Sequence, residues 1–225
     1  MESNVRRWKT TIVLSLAVLL FGSIWGLVEM TLGAFLHTIH LPQKGAIMGG
    51  FAISLMTLFT IVTNRPSLVP LLGIIAASFK PLDAVILGVP PWSPYIVNPA
   101  VAIILEALAF GAVVVILKNV IDKHLYARPL AGITAGYMGF IFYAVFASVL
   151  GRGIWPTLTF SEKLQFIWTN ATPIAVAGAF ALILGYYLGK AGAPRMSVFK
   201  QSHPQMFYSA TLAIVLACWI IPTIC

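Results

Sequence analysis

The sequence predicts an all-α bundle of membrane-spanning helices, and three observations carry that prediction. Its 225 residues are 60% hydrophobic and only 9% charged, with a mean hydropathy of +0.95. A water-soluble domain carries about 25% charged residues. Apolar runs recur along the chain, each close to the roughly 20 residues that a helix needs to cross a hydrocarbon core about 30 Å thick. The runs are continuous rather than alternating, so they do not read as barrel strands; helices satisfy their own backbone hydrogen bonds in lipid.

The first run, Thr10–Leu36, follows Arg6, Arg7 and Lys9. It is longer than the about 7–15 apolar residues of a cleavable leader, and no small-x-small cleavage site follows, so it is expected to remain as a helix. Glu29 sits inside it. At 100° per residue Gly22, Glu29, Leu36 and His40 share one stripe, with Gly26 and Gly33 on its margins. Gly22 and Gly26 form a GxxxG pair that lets another helix approach closely. Ala17, Gly22, Gly26 and Gly33 are therefore the expected packing or docking residues, and Glu29 is expected to point into the bundle.

The second run is Gly45–Thr63 and the third Leu68–Gly88, interrupted by "FKPLD". There Lys80 and Asp83 stand three apart at a proline, placed to neutralise each other or to let Lys80 face a substrate carboxylate. The next stretch, 89–98, holds Pro90, Pro91 and Pro94 and is followed by Pro99. With Pro81 these preclude one regular helix, which leaves two readings: a partly re-entrant lid or a surface loop. Trp92 and Tyr95 are expected to cover a cavity from there, although Trp92, Trp155 and Trp168 also suit an interfacial aromatic belt.

The fourth run, Pro99–Leu117, carries Glu106 among the small or short residues Ala102, Ala109 and Val113. Counted from the same side as Glu29, it falls at similar depth. The fifth run is Leu130–Leu150, the sixth Pro173–Gly189 and the seventh Met206–Ile221, so residues 1–225 form one transmembrane domain of six to seven helices. Asn98 and Asn170 stand where helices four and six are expected to start and fit N-capping. Cys218 and Cys225 have no metal-type spacing.

Placing the N-terminus in the cytoplasm puts ten basic residues inside (Arg6, Arg7, Lys9, Arg65, Lys118, Lys123, Arg128, Lys190, Arg195 and Lys200). Four remain outside: Lys44, Lys80, Arg152 and Lys163. That asymmetry sets the expected orientation in a cell membrane. The net charge of +8 then serves topology and attraction to anionic lipid; dispersed over short loops, it gives no footprint for nucleic acid. No GxxxxGK[ST] stretch is present, so ATP is not hydrolysed by a P-loop. The match between "VEMTLG" and "LEALAFG" is too short to establish the inverted repeat common in transporters.

An ionised carboxylate facing lipid at mid-membrane costs about 2.5–3.5 kcal/mol, so Glu29 and Glu106 are expected to face a cavity, a cation or a helix partner. The expected ligand-binding set is Glu29, Glu106, Lys80, Asp83, Trp92, Tyr95 and Asn98. His37 and His40, at i,i+3, are the expected metal pair, suited to zinc, nickel or haem.

"WGLVEMTLG", "PPWSPYIVNP" and "ILEALAFG", with the short loops and the small residues of the first helix, make the chain resemble the membrane-embedded S-components of energy-coupling-factor transporters. The family's first helix carries an alanine-x-x-x-alanine docking motif, for which the nearest match is Ala17 with Gly22 and Gly26. Its core has six helices, against seven runs here. The resemblance implies a non-enzymatic subunit that captures a vitamin, a precursor or a metal ion from outside. Its partners would be a membrane scaffold subunit and cytoplasmic ATPases. Two other classes stay open: an intramembrane metal- or haem-binding protein or enzyme built on Glu29, His37, His40 and Glu106, and a structural or assembly subunit. Ligand and cofactor are unknown at this stage.

Overall fold

Every one of the seven apolar runs is helical in the computed structural model. It describes the backbone of residues 2–151 and 154–224 and their side chains except those of 2–10, 37 and 224. Of the residues singled out above, Arg6, Arg7, Lys9, His37, Arg152 and Cys225 have side chains outside the described residues. The helices are α1 (Glu2–Thr38), α2 (Lys44–Thr63), α3 (Val69–Ala77), α4 (Lys80–Leu87), α5 (Pro94–Lys123), α6 (Ala127–Val149), α7 (Phe160–Ser202) and α8 (Pro204–Ile224). Among the described residues, seven stretches are long and apolar enough to cross a membrane, α3 and α4 together supplying one of them. The protein is a multi-pass, all-α membrane bundle.

Several helices outrun the apolar runs that announce them. The turn between α5 and α6 shrinks to residues 124–126, because Arg128 folds into the bundle. Its guanidinium donates to the Tyr187 hydroxyl (3.0 Å) and the Ile121 carbonyl (3.3 Å) and lies 3.9 Å from the Tyr186 ring centre. The third run breaks at Ser78–Phe79 because Pro81 cannot donate to the Ala77 carbonyl and its ring collides with it. With 43 residues, α7 is about 64 Å long, twice what a bilayer core requires. A capping box starts it early: the Glu162 carboxylate accepts from the Thr159 backbone N–H at 2.7 Å, while the Thr159 hydroxyl accepts from Glu162 N–H at 3.4 Å. At its other end "KAGAPRMSVFKQS", expected as a polar connection, stays helical to Ser202.

The spans close into a ring in the order α1, α3–α4, α5, α6, α7, α2 and back to α1, and α8 docks outside it, chiefly on α1. Of the spans, α2 is the most enclosed and α8 the least. Two close approaches tie the ring. Gly132 on α6 faces the Gly178 backbone on α7, where a Cβ would collide with the carbonyl oxygen. Gly26 on α1 leaves the space that the Phe79 ring fills. Phe79 is fully buried and packs on Trp219 of α8 with ring centres 4.2 Å apart. Trp219 also donates to the Ser23 hydroxyl at 3.1 Å, which fixes α8 to α1.

Candidate functional site

Four of the acids and bases expected at the site converge near the far end of the bundle, the end away from the start of α1. Lys80, only 7% exposed, pairs with Asp83 at 3.0 Å across one turn of α4 and makes a long 3.5 Å contact to the Glu29 carbonyl oxygen on α1. The neutralising role expected for this pair is thus the one it adopts. The ammonium is engaged within the protein at these two oxygens. Phe79, wedged against Gly26, sets Lys80 at this height.

Glu29 uses one carboxyl oxygen to accept from Trp25 Nε1 at 3.2 Å, one turn below on the same helix. Its other oxygen lies at Gly33, where a Cβ would stand in ordinary contact, 3.9 Å from it and 3.9 Å from Met48 Cε. Met48 and Gly49 on α2 lead to the second acid. Glu106 Oε1 lies 3.4 Å from where a Gly49 Cβ would be, and Gly139 on α6 runs 3.4 Å from the Glu106 Cα by the same measure. Small residues on α2 and α6 thus make room for a carboxyl on α5. The two acids are near enough to interact electrostatically.

Glu106 Oε1 and Asn98 Oδ1 are enclosed acceptor atoms without a hydrogen-bond partner among the described residues. Buried acceptors of this kind cost about 1–3 kcal/mol each when nothing donates to them. Glu106 Oε1 and the Glu29 carboxyl ask for donors, a proton, an ammonium group or a cation; Asn98 stands two turns away on α5, about 12 Å along the axis from Glu106.

The structure corrects several expectations. The stretch 89–98 is irregular chain only as far as Ser93 and is helical from Pro94 onward. Gly88 ends α4 in the left-handed region (φ 62°), and α5 already begins at Pro94 behind Ser93, whose hydroxyl accepts from Tyr95 N–H at 3.4 Å. Proline at the first helical position loses nothing, because that N–H has no partner in a helix anyway. Asn98 is consequently inside α5 and not its cap, and Asn170 lies inside α7, where it donates to the Phe166 carbonyl at 2.8 Å. Trp92 and Tyr95 stand 77% and 78% exposed at the surface of the bundle. Because α5 starts early, Glu106 stands about 18 Å from its helix end and Glu29 about 14 Å from its own, at 1.5 Å per residue.

Gly22 and Gly26 pack inside the chain, against Ile75 and Phe79, so neither is free to dock a partner. Ala17 packs against the core and lines a cavity at the opposite, basic end. That cavity, between α1, α2, α7 and α8, is not the one expected beside the acids. His40 lies past the end of α1, with φ 51° and its Nδ1 2.9 Å from the Thr38 carbonyl oxygen. The helical i,i+3 geometry expected for His37 and His40 therefore does not form, although the side chain of His37 is not described. Among the described residues no three His, Cys, Asp or Glu side chains come together as a metal site. Trp25 and Phe79 were not anticipated; only the first had a signal, its i,i+4 spacing to Glu29.

No protein-family model, no curated protein and no solved structure matches this chain.

Proposed function

We propose that the protein is a membrane-embedded binding or transport protein that takes up a small solute or ion from the far side at a site formed by Glu29 and Glu106. The observation that carries this reading is the enclosed, unpartnered acceptor Glu106 Oε1, together with Glu29, whose neighbouring Lys80 ammonium is already paired with Asp83. A solute presenting an ammonium group, several N–H donors or a metal ion satisfies these atoms; an anion does not. The excess of basic residues at the other end supports a cell-membrane orientation in which the far end faces outward.

The ring of six spans with α8 outside it is compatible with the six-helix core of energy-coupling-factor S-components. In that setting a scaffold subunit and cytoplasmic ATPases would supply the energy. Docking through Gly22 and Gly26 is not part of this proposal, since both are occupied.

The test is a thermal-shift screen of the purified chain with cationic vitamins, their precursors and divalent metals, followed by uptake in proteoliposomes. A stabilising solute is expected to lose its effect in Glu29→Gln and Glu106→Gln, while Asp122→Asn, at the other end, keeps it. An unchanged response in both glutamine variants would exclude the site.

A further inference from the structure

The basic end of the bundle holds a cavity of about 480 Å³ that the acidic site does not use. It opens because α8, tied to α1 by Trp219, touches α7 far less than α2 does, which leaves a wedge beside the end of α7. The walls are apolar: Ala17, Leu20 and Phe21 of α1, Val62 of α2, Met196 of α7 and Phe207 of α8. The hydroxyls of Thr63 and Thr211, which also line it, are consumed by the carbonyls of Phe59 and Phe207 at 2.8 Å each. The Ser197 hydroxyl accepts a long 3.5 Å bond from Gln201 Nε2, and two polar groups remain, the Lys200 ammonium and the Tyr208 hydroxyl, on either side of the α7–α8 turn. Neither has a hydrogen-bond partner among the described residues.

Size and shape select the occupant. The cavity is held between four helices, α1, α2, α7 and α8. It falls within the about 300–1,000 Å³ of small-molecule sites. On α1 its lining runs from Val13 to Phe21, about 12 Å along the axis, the outline of an extended chain. A largely apolar slot with a cation and a free hydroxyl at the α7–α8 turn matches an amphiphile with an anionic head, and basic pockets between helices on the cytoplasmic side hold such heads.

We propose that this cavity is a binding site for an anionic phospholipid, one acyl chain lying along α1 and the phosphate held by Lys200 and Tyr208. No bond is made or broken; the site anchors the α7–α8 corner to the leaflet.

The experiment is native mass spectrometry of the full chain, purified in detergent and incubated with phosphatidylglycerol or phosphatidylcholine carrying the same acyl chains. One phosphatidylglycerol per chain is expected to be retained, about fivefold over phosphatidylcholine. Lys200→Gln should bring retention down to the phosphatidylcholine level, and Ala17→Trp, which fills the slot, should abolish it. Lys118→Gln, at the same end but outside the slot, should leave it unchanged. Should the tryptophan variant fail to fold, the two lysine variants decide by themselves. Equal retention of both lipids overturns the proposal, as does retention of neither. So does a Lys118→Gln loss as large as that of Lys200→Gln, which would mean diffuse attraction to the basic end, or a protein chain retained in place of lipid.

Discussion

At the far end of the bundle, polar atoms are enclosed by close packing, whereas at the basic end an apolar cavity stands open with its polar groups at one edge. The first arrangement is costly and specific. Lys80 and Asp83 are held in one geometry, Glu29 is tethered by Trp25, and Glu106 reaches between helices whose facing positions are glycine. The second is permissive, since wall residues of the cavity make few demands on each other. Enclosed polar groups fix what can bind, while apolar volume fixes only how much can bind.

This contrast can be broken at its strongest point by Asp83→Asn, which leaves the Lys80 ammonium buried without a counter-charge. Removing one member of a buried pair costs about 3–5 kcal/mol; Asp83 is partly exposed, so a loss toward the lower end is expected, read as a fall in melting temperature in detergent. The double variant Lys80→Met, Asp83→Leu should recover most of it. If the single variant melts with the native chain, the pair does not hold α4 against α1.

Added volume gives the next effect and tests packing directly. Gly26→Val drives two methyl groups into the Phe79 ring and should destabilise by about 1–3 kcal/mol. Ala17→Leu, one face of the same helix further down, opens onto the cavity and should change the melting temperature little. Equal losses at the two positions would mean that the two ends are packed alike. Trp25→Phe removes the donor to Glu29 and the second ring of a fully buried indole, with an expected cost of about 1–2 kcal/mol and a changed response in the solute screen. Smallest is Lys200→Gln, expected to leave stability in detergent untouched while lowering retention of anionic lipid.

Seven spans were legible because burial in lipid requires long apolar runs, and that requirement acts on each segment by itself. The inward setting of Glu29 was legible for a related reason, since the glycines share its stripe. Helix ends were less so. Pro94 was expected to lie in irregular chain, yet proline is well suited to a first helical turn, and Ser93 caps it. Asn98 and Asn170 have the chemistry of caps, but better caps lie upstream at Ser93 and Thr159.

What the sequence determined by itself was the solvent and the number of crossings, because hydropathy and backbone hydrogen bonding are local quantities. It also singled out the acids that lipid would penalise. Only the tertiary structure decided that Lys80 is already paired, that Gly22 and Gly26 are filled from within, that Trp92 and Tyr95 are exposed, and that a cavity opens at the basic end. Each of these depends on which helices touch, and contact between segments far apart in the chain leaves no mark in the composition of either one.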